Sequence, residues 1–431
     1  MRLKSIELKN YRCYQHFKVD FAQGINAIAG VNGSGKTSLL KGIREALALN
    51  VLQFGLPVPN FHGFSDGDDN PAYLRADVVG NRWRFEPQHR VRIVANGEIL
   101  GRACTWTCEK NGASGPVYAR GTVPTALLLK NQSDERHPLI YPLFAYYHVH
   151  RAWPATAANE VAAATLQSPR AAGYAQWWNA SADSSALQQW AITKSMERLQ
   201  FATDRHVGWE GVDDDELAVV NQALRAVLHA TIGLRYDFAQ KSLVIERGKE
   251  RPPTPYRNLS DGQRVAIGLV ADMARRMALL NPHLGPEVIT QTPGVVLIDE
   301  LDDHLHPTWQ RLTVRGLAAA FPKVQFIVTS HSPQVLSELR PENIILLTLD
   351  GAARPQASYG LDENRVLEQL MGVAPRPLEV ENGLSELFRL IEQNDLSQAR
   401  NALSQLRSLA PGLPEFAGAE ALIRRKEVLG K

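Results

Sequence analysis

Apolar and polar positions alternate at the start of the chain and then change period. Phe17, Val19 and Phe21 alternate with polar partners, and Ile25-Asn26-Ala27-Ile28-Ala29 follows, so residues 2–29 read as three short strands. The run Ser38-Leu39-Leu40-Lys41-Gly42-Ile43-Arg44-Glu45-Ala46-Leu47 then takes helical spacing. Residues 74–128 are rich in β-formers, with turn signals at Ala95-Asn96-Gly97 and Lys110-Asn111-Gly112, which predicts antiparallel hairpins. The aromatic run at 138–149, with Phe144-Ala145-Tyr146-Tyr147, predicts a buried strand. From about 151 to 235 the pattern is helical, with Trp177, Trp178 and Trp190 as packing anchors and Asp213-Asp214-Asp215-Glu216 as a solvated helix start.

The Pro-rich stretch Arg251-Pro252-Pro253-Thr254-Pro255 reads as a stiff connector. Beyond it Ala266, Leu269, Val270, Met273, Ala274 and Met277 recur at helical spacing, and buried strands return at Val295–Ile298 and Val324–Val328. The tail is helical from about 362, with Asp395 in an N-cap position and Leu396, Ala399, Leu403, Leu406 and Leu409 on one face. Residues 384–409 read either as a helical hairpin that docks a partner or as helices packed on the chain's own core. The expected divisions are 1–150, 151–250, 251–350 and a tail at 351–431. No sustained heptad repeat predicts a long coiled coil.

Composition narrows the classes. The 431 residues carry 47 basic and 45 acidic side chains, a net charge of +2, so no global field marks a nucleic-acid binder. Three cysteines, Cys13, Cys104 and Cys108, suit a reduced compartment rather than a disulfide framework. Cys104 and Cys108 read as ordinary strand residues, because their spacing is unlike that of zinc knuckles. No signal-like segment opens the chain and no apolar run approaches membrane-spanning length, so a soluble cytoplasmic protein is expected.

The chemistry concentrates in a few short segments. Gly30-Val31-Asn32-Gly33-Ser34-Gly35-Lys36-Thr37 is a complete G-x-x-x-x-G-K-[ST] phosphate loop between a strand and a helix that opens at Ser38. Its glycines let successive N–H groups turn inward around an anion, Lys36 reaches the terminal phosphates of ATP, and Thr37 coordinates Mg²⁺. Val295-Val296-Leu297-Ile298-Asp299-Glu300 is a buried strand delivering two carboxylates at its end. Asp299 suits a second magnesium ligand and Glu300 a general base that polarises the attacking water.

Further segments resemble the RecF/SMC-like branch of ABC-type ATPases, including overcoming-lysogenization-defect proteins and stand-alone bacterial AAA-family ATPases. Leu259-Ser260-Asp261-Gly262-Gln263 is similar to the Leu-Ser-Gly-Gly-Gln signature. Ile6-Glu7-Leu8-Lys9-Asn10-Tyr11-Arg12-Cys13-Tyr14 resembles the first strand of that branch, and the resemblance implies that Arg12 faces the nucleotide. Leu297 to Gln310 is similar to the Asp-Glu-(Ile/Leu)-Asp-x-His-Leu-His-Pro hallmark, and Thr329-Ser330-His331-Ser332 to the segment of the switch histidine. The likeness covers about residues 1–350 and, faintly, 359–377.

It implies an α/β P-loop NTPase of ABC type, with a mixed core sheet, an antiparallel β subdomain lying over the nucleotide and an inserted helical lobe. It further implies a homodimer closed around ATP, in which Ser260, Gly262 and Gln263 meet the nucleotide of the opposite subunit and His331 contacts its own γ-phosphate. Three departures stand out: Asp261 replaces a glycine, His306 replaces a coupling aspartate, and no Q-loop glutamine is evident around His148, Val149, His150 and Arg151.

The leading expectation is a Mg²⁺-dependent ATPase that switches a DNA-linked assembly, in repair or anti-phage defence, through a separate effector and with weak DNA contact at most. An ATP-holding scaffold that sequesters a toxic partner is the alternative. A transporter cassette fits less well, because more than two hundred positions separate phosphate loop and signature. No acidic set suited to an intrinsic nuclease follows the switch histidine.

Overall fold

The computed structural model describes residues 1–53, 71–79, 82–112, 117–121, 138–149, 169–182, 184–229, 233–248, 252–348, 351–374 and 376–429. The chain divides into two compact units, Met1–Leu361 and Asp362–Lys431.

In the first unit, β1 (Arg2–Tyr11) and β2 (Tyr14–Asp20) form a hairpin, and β3 (Ile25–Gly30) runs into the phosphate loop and the helix Lys36–Gln53. Next come a two-stranded ribbon, β4 (Tyr73–Val79) with β5 (Arg82–Gln88), and the meander β6 (Val91–Ile99), β7 (Arg102–Lys110) and β8 (Val117–Arg120). Strand β9 (Leu143–Tyr147) is buried at every position. Helices Ser184–Asp204 and Glu216–Val227 precede a small sheet of β10 (Gly233–Asp237), β11 (Ser242–Glu246) and β12 (Thr254–Pro255). Helix Asp261–Leu280 then leads to β13 (Gly294–Ile298), helix Pro307–Ala320, β14 (Val324–Thr329), β15 (Ile344–Thr348) and β16 (Gly351–Ala353).

The core sheet has the order β16-β15-β3-β14-β13-β9. Its pairings are parallel except for β15 with β16, so the sheet is mixed. Parallel strands covered on both faces read as near-continuous apolar runs, and β13 and β14 are buried throughout. The second sheet, β2-β1-β6-β7-β8, is antiparallel. Gln325 of β14 stitches the two together: its amide exchanges hydrogen bonds with the backbone of Leu3 at 2.8 Å in both directions. Trp106 of β7 donates its indole N–H to the carbonyl of Ala46 at 2.8 Å, tying the phosphate-loop helix to the antiparallel sheet. This is an α/β P-loop NTPase fold with a mixed core sheet, an antiparallel sheet and helical regions.

Several details differ from the sequence expectation. Ala95-Asn96-Gly97 lies inside β6 rather than at a turn, and the chain reverses at Leu100 and Gly101, both at positive φ. Gly97 is required by proximity: a β-carbon there would collide with the carbonyl of Arg2, opposite an irregularity in the β1 register. The expected helical stretch ends in the β10–β11 hairpin, and its portion at 151–168 lies outside the described residues. The Pro-rich connector supplies β12, an edge strand that tolerates proline. Strands β15 and β16 were not anticipated.

Trp177 and Trp190 are buried anchors, whereas Trp178 is half-buried. Asp215 caps helix Glu216–Val227, accepting from the Ala218 N–H at 2.7 Å. Cys104 and Cys108 lie on β7 as free thiols.

The second unit contains helix Glu363–Met371 and the three helices Leu378–Glu392, Leu396–Leu409 and Glu415–Leu429. The last three bury Leu384, Leu387, Leu403, Leu406, Phe416 and Ile423 against one another. Asp395 caps the middle one through Gln398 N–H. Among the described residues, no helix is long and apolar enough to cross a membrane.

Candidate functional site

The site gathers where the parallel strands end. Gly33 and Gly35 adopt φ of 83° and 97°, the conformations an inward-facing phosphate loop requires. Tyr14 supports that loop from below, donating its hydroxyl to the Gly35 carbonyl at 3.0 Å. Lys36 is buried and its ammonium donates to the carbonyls of Gly30 at 2.8 Å and Val31 at 3.0 Å, so it lies across the loop mouth. Ser34 Oγ is buried with no protein partner. The N–H groups of Lys36, Thr37 and Ser38 open a helix and lack intrahelical acceptors, as at every helix start. Asn32 and Gly33 are exposed at the loop tip. A loop with unspent donors, an orphaned hydroxyl and a spanning lysine fits a polyphosphate.

Asp299, 1% exposed at the end of β13, is held by two hydroxyls. Thr37 Oγ1 donates to its Oδ2 at 2.9 Å, and Thr329 Oγ1 donates to its Oδ1 at 2.6 Å. Two oxygens in an octahedral magnesium shell at ~2.1 Å from the metal sit about 3 Å apart, so the Thr37–Asp299 spacing suits Mg²⁺ completed by water and phosphate. Among the described residues, no cluster of three or more His, Cys, Asp or Glu side chains forms a protein-only metal cage, His304 and His306 included. Magnesium commonly keeps several waters and needs no such cage.

Glu300 takes φ +50°, a left-handed conformation unusual for a non-glycine residue. Its N–H donates to Thr329 Oγ1 at 2.6 Å, so one threonine hydroxyl orders both carboxylate residues. Asp302 accepts the N–H of His331 at 3.3 Å, and Leu301 N–H bonds the carbonyl of Thr329 at 2.9 Å. Gln310 clamps this turn, donating to the carbonyls of Asp302 and Leu305 and accepting from Ser332 Oγ at 2.6 Å.

The charges are mutually aware. Burial pulls the Lys36 ammonium below its ordinary value, against the opposing pull of Glu300, Asp299 and Asp302. Burial and the nearby Lys36 cation lower His331, against Asp302 and Glu300. A neutral imidazole beside a lysine can accept or donate a proton at the reacting end of the site.

Lys36, Thr37, Asp299, Glu300 and His331, dispersed over the sequence, are therefore brought together. Arg12, at φ +51°, stands beside the ring of Tyr11, its guanidinium carbon 5.8 Å from the ring centroid, and near the buried Tyr146. The His148 ring packs tilted against that of Tyr146, 4.1 Å between centroids; of the expected Q-loop positions, His150 and Arg151 lie outside the described residues.

The signature segment makes its own arrangement. Ser260 caps helix Asp261–Leu280 by accepting from Gln263 N–H, while the Gln263 side chain accepts the Ser260 N–H, a reciprocal capping box. Ser260 keeps its O–H for another acceptor. Among the described residues, the side-chain hydrogen bonds of Ser260 and Gln263 stay within this box and reach no phosphate-loop atom. A β-carbon on Gly262 would collide with the carbonyl of His304, so the segment rests on the turn that follows Glu300. His306, in the place of the coupling aspartate, caps helix Pro307–Ala320, its Nδ1 accepting from Thr308 N–H at 3.4 Å.

Sequence reasoning assigned no role to Thr329, Tyr14 or Gln310. A threonine ending a buried strand directly before Ser330-His331 was the available signal for the first; the other two are legible only in space.

The signature helix itself carries a buried ionic knot. Asp272 pairs with Arg275 and Arg276 at 2.7 Å each, and accepts the Tyr147 hydroxyl at 2.8 Å. Tyr147 also gives its carbonyl to Asp299 N–H at 2.9 Å.

Comparison with known proteins adds the following. Residues 175–337 match the family described as "AAA domain, putative AbiEii toxin, Type IV TA system", and residues 5–51 match a second AAA-domain family. The chain is 37% identical to the Retron Ec83 probable ATPase of Escherichia coli, over 88% of this chain and 78% of that protein. It is 26% identical to the Retron Vc95 probable ATPase of Vibrio cholerae serotype O1 biovar El Tor, over 80% of this chain and 73% of the other. Among solved structures, an SMC head bound to the C-winged helix domain of ScpA aligns at 13% identity and a TM-score of 0.45, covering 82% of this chain and 98% of that one.

Proposed function

This chain belongs to the family of the Retron Ec83 probable ATPase, within the RecF/SMC-like ABC-type ATPases, and on that premise we propose that it binds and hydrolyses ATP with Mg²⁺. The observation that carries the reading is the Asp299 carboxylate held between Thr37 and Thr329. It joins phosphate loop, acidic strand end and switch strand at one point.

In this reading the N–H groups of Gly33 and of Gly35 to Ser38 and the Lys36 ammonium grip the phosphates, while Thr37 and Asp299 would hold the metal. Magnesium, when bound, neutralises charge developing on the phosphate oxygens. Glu300 orients and deprotonates water, its backbone fixed by Thr329. His331, kept neutral by burial and Lys36, hydrogen-bonds the terminal phosphate. The capping box presents Ser260 Oγ–H and the first helical N–H groups to a phosphate of a second copy, so ATP closes a dimer.

The dimer acts as a switch in a DNA-linked or defence-linked assembly with a separate effector. Support for that wider role comes from relatives whose names place an ATPase within a retron.

The test is release of labelled phosphate from ATP by purified protein. Magnesium-dependent turnover abolished by Lys36→Ala is expected. Turnover that survives Lys36→Ala would place hydrolysis elsewhere and overturn the reading.

A further inference from the structure

The signature segment contains a carboxylate where the family pattern has glycine, at a helix start read as a phosphate contact. Asp261 is the first residue of helix Asp261–Leu280, its side chain largely exposed. Unscreened, it would repel the triphosphate that the Ser260 and Gly262 donors are placed to receive. One turn later Arg264 reaches back to it: a guanidinium NH2 group donates to Asp261 Oδ1. The arginine is set for that task. Its other terminal nitrogen donates to the Arg257 carbonyl at 3.4 Å, and its own carbonyl accepts the Tyr256 hydroxyl at 3.1 Å. Its side chain is only 26% exposed, against 72% for Asp261.

Resting on the ATP-closed dimer proposed above, we infer that Arg264 is a positioning residue that neutralises Asp261 and turns its carboxylate aside, so that the signature can receive a phosphate of the nucleotide held by a second copy. As an isolated pair on an exposed helix turn it contributes little to folding. Its weight falls on closure, where a polyanion approaches and water is excluded. The capping box is independent of it, because Ser260 and Gln263 satisfy each other. Loss of Arg264 leaves the donors in place and exposes the repulsion alone.

The test is a double-mutant cycle on full-length protein, reading nucleotide-dependent association by light scattering with Mg²⁺ and the slowly hydrolysed analogue adenylyl imidodiphosphate. Arg264→Ala is expected to weaken association about tenfold, Asp261→Gly to leave it at least as strong as the parent, and Asp261→Gly/Arg264→Ala to regain the parent value within about twofold. Arg264→Gln, which keeps the aliphatic stem, should behave as Arg264→Ala, and Arg264→Lys should retain most of the association. The deficit of Arg264→Ala should shrink at high salt.

A double variant as weak as Arg264→Ala overturns the inference, because Arg264 would then act without Asp261. So does an Arg264→Ala protein that associates like the parent, or one whose analogue affinity falls at dilutions too low for association. Failure of the parent to associate with nucleotide sinks the dimer reading together with this one. Parent association that none of the variants alters sinks the pair alone.

Discussion

The hydroxyl of Thr37 donates to the Asp299 carboxylate at 2.9 Å, joining residues 262 positions apart in the chain. The other oxygen of that carboxylate is taken by Thr329, whose hydroxyl also receives the Glu300 N–H. The site is thus built around one buried acid and two threonines from different elements.

Thr329→Val keeps the shape and removes the shared hydroxyl. The Asp299 carboxylate and the Glu300 N–H each lose a partner, a loss of about 1–3 kcal/mol in a buried setting. Urea unfolding should show destabilisation of that order, and ATP turnover should fall as Glu300 loses its fixed backbone. Unchanged stability with unchanged turnover would show that the bridge is dispensable.

Glu300 has no place in gripping phosphate. Glu300→Gln should therefore lower turnover by about 100-fold or more while ATP stays bound, in contrast to Lys36→Ala, which should lose binding itself. Equilibrium binding of labelled ATP beside steady-state hydrolysis separates the two; wild-type turnover in Glu300→Gln would remove the general-base role.

Ser260 offers its O–H at a helix start whose hydrogen bonds are local. With ATP trapped by Glu300→Gln, a dimer should accumulate in light scattering, and adding Ser260→Arg should abolish it by filling the phosphate position. ATP-independent association indifferent to Ser260→Arg would rule out the sandwich.

His331 titrates below the ordinary histidine value because burial and Lys36 disfavour its cation. The unfolded chain, with a pKa near 6.5, therefore binds the proton first as pH falls. The stability linked to His331 is full above that value and is lost as pH drops through it toward the folded pKa. His283 is lowered as well, so a difference is needed. The fall in unfolding temperature between about pH 7 and pH 6, without nucleotide, should be shallower in His331→Gln than in the parent. Parallel curves would contradict the assigned burial.

The legible parts of the fold were those whose pattern is local. An all-apolar β13 ending in Asp299-Glu300, and β3 ending in a glycine-rich turn, show their period and their punctuation in consecutive residues. The misreadings arose where a residue answers to something distant. Gly97 looks like a turn glycine, yet it is a strand residue pressed on the backbone of Arg2. Asp272, Arg275 and Arg276, which interrupt the apolar period from Ala266 to Met277, took no part in the sequence reading as core residues. Instead all three are buried, with Tyr147 of β9 supplying a fourth group. Periodicity counts polar residues as outward-facing and cannot see that opposite charges on one helix neutralise each other inside.

The sequence alone determined the chemical parts: a phosphate loop between strand and helix, paired carboxylates after a buried strand, a histidine after the next, and a signature-like segment leading into a helix. Each depends on residue types at short fixed spacing, which is all a sequence states directly. Only the tertiary structure decided how the parts share atoms. The parallel sheet orders β3, β14 and β13 side by side, although β13 precedes β14 and lies far from β3 in the chain. Adjacent strand ends then bring Thr37, Thr329 and Asp299 within hydrogen-bonding distance. Strand order is set by burial of both sheet faces and by backbone pairing between distant segments, and neither leaves a mark on the neighbours of any one residue.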